Sequence, residues 1–160
     1  KNIEFEKLMD LPGKTDAILE LALGGGRPPR EELAAKGWKL LDGFSMSQTP
    51  WKYRDYIIES FAEFSTAKNA YAATKSGWFS CRSACYLAAA RPCVIQDTGF
   101  SAFIPTGAGI LAFTNEEEAL AGIEAVRADW AKHSKAALEI ARGYADADKV
   151  LAKFLADALT

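Results

Sequence analysis

Residues 80–99, SCRSACYLAAARPCVIQDTG, carry the clearest signals of secondary structure in the chain. Residues 81–90 are rich in alanine and predict a helix, with Ser80 as its N-cap and Pro92 preventing its continuation. Cys93–Gln96 is a short apolar run that predicts a buried strand, and a polar loop with a glycine follows it. A helix that leads directly into a buried strand is typical of a parallel sheet covered by helices.

The same alternation continues on both sides of this stretch. The other predicted elements are strands at 17–23, 38–42, 62–65 and 109–113, and helices at 27–36, 50–59, 114–130, about 137–144 and 150–158. We therefore predict an α/β fold, a doubly wound and mainly parallel sheet with helices on both faces, as in Rossmann-like domains. Residues 1–14 are expected to form an N-terminal lead-in, and residues 15–160 a single domain.

Composition excludes several classes of protein. The chain has 160 residues, of which 49% are hydrophobic and 25% charged, as expected for one globular domain. Its net charge of −2 argues against a general nucleic-acid binder, and no apolar run approaches the roughly 20 residues that cross a bilayer. Three cysteines without a CxxC pair favour a reducing compartment, so we expect a cytoplasmic protein.

Positive charge is concentrated in the middle of the chain. Residues 51–91 hold six basic and three acidic side chains, whereas residues 114–160 hold six basic and nine acidic ones. An anionic ligand is therefore expected to bind the middle segment.

Three loops that follow predicted strands are candidates for ligand binding, because ligands of open parallel sheets bind beyond the carboxyl ends of the strands. The first is the glycine turn at residues 24–26, where backbone amides could approach a phosphate. The second is residues 77–83, a hydroxyl-rich turn with one arginine that opens a helix. The third is the polar loop at 97–101. Each is equally compatible with an ordinary turn, N-cap or connection.

The second and third loops lie in a longer pattern that resembles a known family. SGWFSCRSACYLAAARPCVIQDTGFS at 76–101, IPTGAGILAF at 104–113 and EEEA at 116–119 follow the order found in the C-terminal, donor-binding domain of GT-B glycosyltransferases. That order is a helix ending before proline, an apolar strand, a polar glycine loop, then G-x-G-hydrophobic and a helix with early glutamates. The resemblance covers roughly residues 17–159.

The resemblance implies a domain that binds a nucleotide-diphosphate sugar and faces an N-terminal acceptor-binding domain of the same parent chain. It implies a glycosyltransferase as the parent enzyme, an isolated domain without activity, and no cofactor beyond the donor. Catalytic residues are not identified. The donor-binding residues that it implies are Gly24, Gly25 and Gly26 at the glycine turn, Lys68 for leaving-group charge, Ser80, Arg82 and Ser83 near the diphosphate, and Asp97, Thr98 and Gly99 on the sugar and phosphate side.

Departures from the family pattern leave two alternatives open. Gly77 and Cys85 stand where many retaining members carry a pair of glutamates, which also fits a non-catalytic nucleotide or sugar binding module. Ala90 replaces the usual glycine of its turn. The second alternative is a nicotinamide-dependent oxidoreductase domain. It has less support than the first, because it rests only on the glycines at 24–26 and on Asp42, which lies 18 residues beyond Gly24.

The remaining reactive or aromatic side chains are given structural roles. His133 is the only histidine of the chain and is expected on a solvated helix surface, so no metal site is predicted. We expect Cys81 and Cys85 to be small core residues on one helix face. The aromatic side chains at positions 51, 53 and 56 are expected to pack the core, and the apolar stripe of the last helix is expected to be covered.

Overall fold

The structure is a computed structural model that describes residues 2–159. In chain order its elements are α1 (Asn2–Glu6), a 3-10 turn (Leu11–Lys14), β1 (Glu20–Leu23), α2 (Arg30–Ala35), β2 (Lys39–Asp42), α3 (Gly43–Ser47), α4 (Pro50–Glu59), β3 (Glu63–Ser65), α5 (Asn69–Thr74), α6 (Cys81–Ala88), β4 (Cys93–Gln96), a 3-10 turn (Phe100–Ala102), β5 (Ile110–Phe113), α7 (Glu116–Ala128), α8 (Trp130–Tyr144) and α9 (Ala147–Ala158).

The strands are all parallel, but they form two small sheets in the described part of the chain. β1 pairs with β2, with Leu21 beside Leu40. β4 lies between β3 and β5, with Val94 beside Phe64 on one side and Leu111 on the other. The predicted α/β class with parallel strands is confirmed, whereas the single sheet is divided between β1 and β3.

Helices cover both faces of the three-stranded sheet, as predicted for a doubly wound arrangement. Val94 packs into one cluster with Ile123 and Val126 of α7. Ile95, the next residue of the same strand, points to the opposite face and packs with Ile140 of α8. Strand β4 is buried along its whole length, which explains its three apolar residues at 93–95, and its last residue, Gln96, is a buried polar side chain.

The N-terminal residues belong to the packed molecule. Leu8 and Leu11 are buried in the same cluster as Val94 and Trp38, so this cluster joins the two sheets. The indole N–H of Trp38 donates to the carbonyl of Met9 at 2.9 Å, which fixes the N-terminal segment against β2.

The capping residues of α6 agree with the signals in the sequence. The Ser80 hydroxyl accepts from the amide of Arg82, which confirms the predicted N-cap. At the other end, the backbone amide of Arg91 donates to the carbonyl of Tyr86, and the backbone amide of Ala90 donates to the carbonyl of Leu87. These are the paired hydrogen bonds of a Schellman motif. Ala90 accordingly has φ +56°, a left-handed conformation that favours glycine.

Two predicted core positions on α6 are wrong. The helix buries Ser83, Tyr86 and Leu87, which are spaced three and four residues apart on the face toward the sheet. Cys81 and Cys85 lie on another face and are exposed. Only the third cysteine, Cys93 of β4, is buried as expected.

His133 is buried rather than solvated, contrary to the sequence-based expectation. It shares a buried face of α8 with Ala137, Ile140 and Ala141. Its Nδ1 accepts a hydrogen bond from the amide of Gly109 at 3.3 Å. Burial, followed by the charge of Lys132, lowers the pKa of His133, so the neutral imidazole is favoured.

Two other expectations of burial are also wrong. Trp51 is 67% exposed, although Tyr53 and Tyr56 on the same helix are half-buried. None of the residues of α9 is buried, and Phe154 in the middle of its apolar stripe is 65% exposed. An apolar period shows that a helix has an apolar face, but it does not show that the domain covers that face. Among residues 2–159, no helix has the length and apolar character needed to span a bilayer.

Candidate functional site

A cleft of about 1290 Å³ lies between the two sheets. Residues of β1 and β3, which are not paired with each other, line it together with the glycine turn at residues 24–26. Helices α4 and α6 also line the cleft, and they contribute the polar side chains of Tyr53, Tyr56, Arg82 and Tyr86. Two separate stretches that the sequence singles out, the glycine turn and Arg82, thus line the same cavity.

The cleft lies between the first strands of the two sheets. β1 and β2 form one parallel sheet and β3, β4 and β5 form the other, so the chain continues from the two strands beside the cleft into different sheets. Connections that diverge from neighbouring parallel strands leave a crevice at their carboxyl ends, and such crevices are the usual ligand sites of open α/β folds. The volume exceeds the about 300–1,000 Å³ typical of small-molecule pockets.

Arg82 is held by a buried carboxylate. Its Nε donates to Oε1 of Glu63 at 2.7 Å, and Glu63 is 3% exposed while the Arg82 side chain is 33% exposed. The Ser65 hydroxyl donates to the same oxygen at 3.1 Å. Burial opposes the charge of Arg82, but the Glu63 carboxylate outweighs it and raises the pKa of Arg82. The arginine is therefore a fixed cation whose position depends on Glu63.

The tyrosines of the cleft remain neutral phenols. Burial raises the pKa of Tyr53 to about 12, and burial also raises the pKa values of Tyr56 and Tyr86. Besides burial, the charges of Tyr86 and of Glu20 in β1 raise the pKa of Tyr56, and the hydroxyls of Tyr86 and Ser60 are 3.5 Å apart. These side chains give the cleft a wall that is aromatic and also able to hydrogen-bond.

The two loops that carry the family resemblance are joined to each other. The Gly77 amide donates to the carbonyl of Thr98 at 2.8 Å, and the Thr98 hydroxyl donates to the carbonyl of Trp78 at 2.6 Å. Gly99, at φ +94°, lies so close to Lys75 that a Cβ atom would be 2.9 Å from the Lys75 carbonyl oxygen. Glycine is required there, and the two loops form one surface beyond the carboxyl end of β4.

Several candidate residues shape these loops through hydrogen bonds of their own. Asp97 accepts from the Gly99 amide at 2.9 Å and from the Ser101 hydroxyl at 2.7 Å. Ser83 and Thr98 are each 1% exposed, so their side chains do not face the cleft. Ser80 caps α6. The first turn of α6 can still offer backbone amides and the positive end of the helix to an anion.

An aromatic stack beside these loops has no counterpart among the residues predicted from the sequence. The rings of Tyr71 and Trp78 are stacked with their centroids 4.8 Å apart, and Trp78 is half-exposed. The Nζ atom of Lys68 lies 5.8 Å from the centroid of Tyr71. A flat exposed ring beside a lysine can hold a base or the apolar face of a sugar. Tyr71 and Trp78 are seven residues apart, which is a helical spacing, but α5 ends at Thr74, so no continuous helix could have linked them.

A buried carboxylate at the strand ends was also missed. Glu4 of α1 is 5% exposed, and its oxygens accept from Asn69 Nδ2 at 2.8 Å and from Gln96 Nε2 at 2.6 Å. The Lys7 ammonium is 3.0 Å from the same carboxylate. The hydrogen bond from Asn69, which outweighs burial, lowers the pKa of Glu4, with further help from Gln96 and Lys7. A glutamate 65 residues away from Asn69 carries no sequence signal of this contact.

Asp42, the acid of the oxidoreductase alternative, is used within its own helix terminus. Its carboxylate accepts from the amides of Phe44 and Ser45, and from the Ser45 hydroxyl at 2.5 Å. These bonds make it the N-cap of α3 and leave less of its hydrogen-bonding capacity for a ribose. In residues 2–159, no group of three or more potential ligands is arranged to hold a metal ion.

Comparisons of the chain with protein-family models, with curated proteins and with solved structures give no match.

Proposed function

We propose that this chain is the C-terminal donor-binding domain of a GT-B-type glycosyltransferase, which binds a nucleotide-diphosphate sugar for transfer to an acceptor held by an N-terminal domain. The observation that carries the proposal is the cleft between β1 and β3, because the glycine turn and Arg82 both line it where the two parallel sheets adjoin. The resemblance of residues 76–119 supports the same function.

The residues of the cleft supply what a diphosphate needs. Glycines at 24–26 leave backbone amides accessible, and Gly26 takes a left-handed φ of +94° at the exit of the turn. Arg82 contributes a positive charge that Glu63 holds in place. Lys68 does not line the cleft; it is an exposed cation in the loop that follows β3, and we propose that it contributes from outside the cleft. Cations and amides of this kind stabilise the charge that develops on a departing diphosphate.

The aromatic stack of Tyr71 and Trp78 provides a surface for a ring of the donor. Its exposed face lies beside the joined loops at 77–78 and 97–99, which hold the Trp78 backbone through Thr98. A rigid platform loses little entropy on binding. We propose that the sugar or the base of the nucleotide sugar stacks on this platform.

A non-catalytic nucleotide-sugar binding module is the second candidate function. It is favoured by Gly77 and Cys85: the first has no side chain, and the second is an exposed thiol. Neither residue can act as the carboxylate found in many retaining relatives. Binding of a donor by the full-length parent without turnover would support this candidate over the enzyme.

The proposal is tested by calorimetric titration of the chain with UDP, GDP, ADP and NAD. Replacing Arg82 alone would leave Glu63 buried without its partner, at a cost of about 3–5 kcal/mol in stability. The variant therefore combines Arg82→Met with Glu63→Gln, and Arg142→Met on the exposed face of α8 is the control. We expect one diphosphate to bind, with about tenfold weaker binding in the double variant and no change in the control.

Two outcomes of this titration would contradict the proposal. One is saturable binding of NAD without binding of any nucleoside diphosphate. The other is binding of a diphosphate that is equally tight in the double variant and in the wild type, since the cleft would then not be the site.

A further inference from the structure

The Glu4 carboxylate connects the N-terminal helix with two loops of the candidate site. One of its partners, Asn69, directly follows Lys68 and begins α5. The other, Gln96, ends β4 and directly precedes Asp97. Each partner is thus the neighbour in sequence of a residue assigned to donor binding.

The same network ties the two loops to each other. The side-chain oxygen of Gln96 accepts from the amide of Ala67 at 3.0 Å, while its Nε2 donates to Glu4. The loop after β3 is therefore fixed to the end of β4 through Gln96, and to α1 through Asn69. Removal of the Glu4 carboxylate would leave the buried amide of Gln96 and the half-buried amide of Asn69 without their acceptor.

We propose that Glu4 is a positioning residue, which sets the loops at 66–69 and 96–101 in their working geometry through Asn69 and Gln96. This inference rests on the proposed function in one respect, since it is the donor-binding role of Lys68 and Asp97 that makes the geometry important. A displacement of α1 would then be transmitted to the ligand loops, so the N-terminal segment tunes the site without touching the ligand.

A carboxylate is the group that this position requires. It accepts from Asn69, Gln96 and Lys7 together, because both of its oxygens are acceptors and neither carries a proton. A glutamine at position 4 has one oxygen and one NH2 group. Its NH2 would face the NH2 of Gln96 or, if the Asn69 amide turned over to accept from it, would lie beside the Lys7 ammonium, which is 3.1 and 3.0 Å from the two carboxylate oxygens of Glu4. In either orientation two donors would oppose each other.

The proposal is tested by amide hydrogen exchange of Glu4→Gln, measured without nucleotide. We expect exchange at residues 66–69 and 96–101 to become at least tenfold faster, while exchange in α8 stays within twofold of the wild type. The control is Glu139→Gln, which removes an exposed carboxylate of α8 and should leave both loops unchanged.

A second variant separates a specific contact from a general loss of stability. In the double variant Glu4→Gln with Gln96→Glu, the donor and acceptor change places, and the new carboxylate at 96 can still accept from Ala67. We expect this exchange of partners to restore slow exchange in both loops.

The proposal is overturned if Glu4→Gln leaves the two loops unchanged, or if exchange accelerates in α8 to the same extent. It is also overturned if the double variant exchanges as fast as the single one. A parallel titration with UDP and GDP keeps the two proposals distinguishable. Failure of the wild type to bind either nucleotide would count against the donor-binding function, while the exchange data would still decide the role of Glu4.

Discussion

Ala90 occupies a backbone conformation that favours glycine. The cost of this conformation can be measured as a change in the free energy of unfolding when Ala90 is replaced by glycine. A left-handed conformation costs a residue with a Cβ roughly 1–2 kcal/mol, whereas glycine loses about 0.5–1 kcal/mol more entropy on folding. We expect Ala90→Gly to stabilise the protein by about 0.5–1 kcal/mol. Denaturant unfolding measures the difference.

The matched control is Ala121→Gly on the exposed face of α7. It should destabilise the protein by about 1 kcal/mol, because its backbone is helical and gains nothing from glycine. A destabilised Ala90→Gly variant would show that the turn after α6 does not have φ +56° in solution.

His133 makes stability depend on pH near neutrality. Its pKa is lowered in the folded protein, so the unfolded chain takes up a proton first as the pH falls through about 6.5. Stability should thus be constant above about pH 7.5 and decrease as the pH falls toward 5.5. His133→Asn, which keeps an acceptor for Gly109, should lose this dependence.

Because the chain has one histidine, no other imidazole can make the free energy of unfolding depend on pH between about pH 7.5 and 5.5. Chemical denaturation at a series of pH values provides the measurement. Equal slopes for the wild type and His133→Asn would place the imidazole in solvent, as the sequence suggested.

At the scale of elements, β5 and α8 meet at Gly109. A Cβ atom there would lie 2.5 Å from the Ala137 amide nitrogen, and the residue has φ +75°. We expect Gly109→Ala to cost about 2–5 kcal/mol, because it adds a clash with helix backbone to the cost of the left-handed conformation.

Gly107→Ala is the control for conformation alone. Gly107 has φ +93°, but nothing lies within 4 Å of the position of its Cβ atom. Its replacement should cost about 1–2 kcal/mol. Thermal unfolding of the two variants compares them, and similar losses would show that the strand and the helix are not in close contact there.

The elements were predictable because their signals are local. Pro50 and Thr49 fix the start of α4, and the apolar residues at 93–95 fix β4. A capping box from Thr114 to Glu117 was expected to begin α7, and the structure has the cap one residue later, at Asn115, which accepts from the Glu118 amide. The division of the sheet between β1 and β3 was not predictable, because strand pairing depends on contacts between distant segments. The same is true of the Glu4 network, whose partners lie 65 and 92 residues away.

Candidate site residues were predictable in part for the same reason. The glycine turn and Arg82 belong to motifs that a sequence displays, and the structure brings both to one cleft. Their partner Glu63 has no motif, and neither does the stack of Tyr71 on Trp78. Sequence thus identifies residues with unusual chemistry, while folding determines which ordinary residues hold them.

At the scale of the whole molecule, α9 contributes little to the stability of the domain. Its apolar residues are exposed, with Leu151 at 58%, whereas Ile140 of α8 is 7% exposed. We expect Leu151→Glu to change the free energy of unfolding by less than about 0.5 kcal/mol, since surface substitutions rarely do more. Ile140→Glu should cost more than about 3 kcal/mol, because it buries a charge.

Urea denaturation of both variants provides the test. A large loss of stability in Leu151→Glu would mean that the apolar face of α9 is covered by the domain in solution.

The cleft between β1 and β3 has a consequence for the handling of the protein. In the described part of the chain, β1 pairs only with β2 and β3 pairs only with β4, so each strand has one edge that pairs with no other strand, and residues of both strands line the cleft. An open strand edge is a template for a strand from another chain, and this is how many proteins begin to aggregate. A ligand that fills the cleft would therefore protect the protein from aggregation during expression and storage, beyond the stability that its own affinity provides.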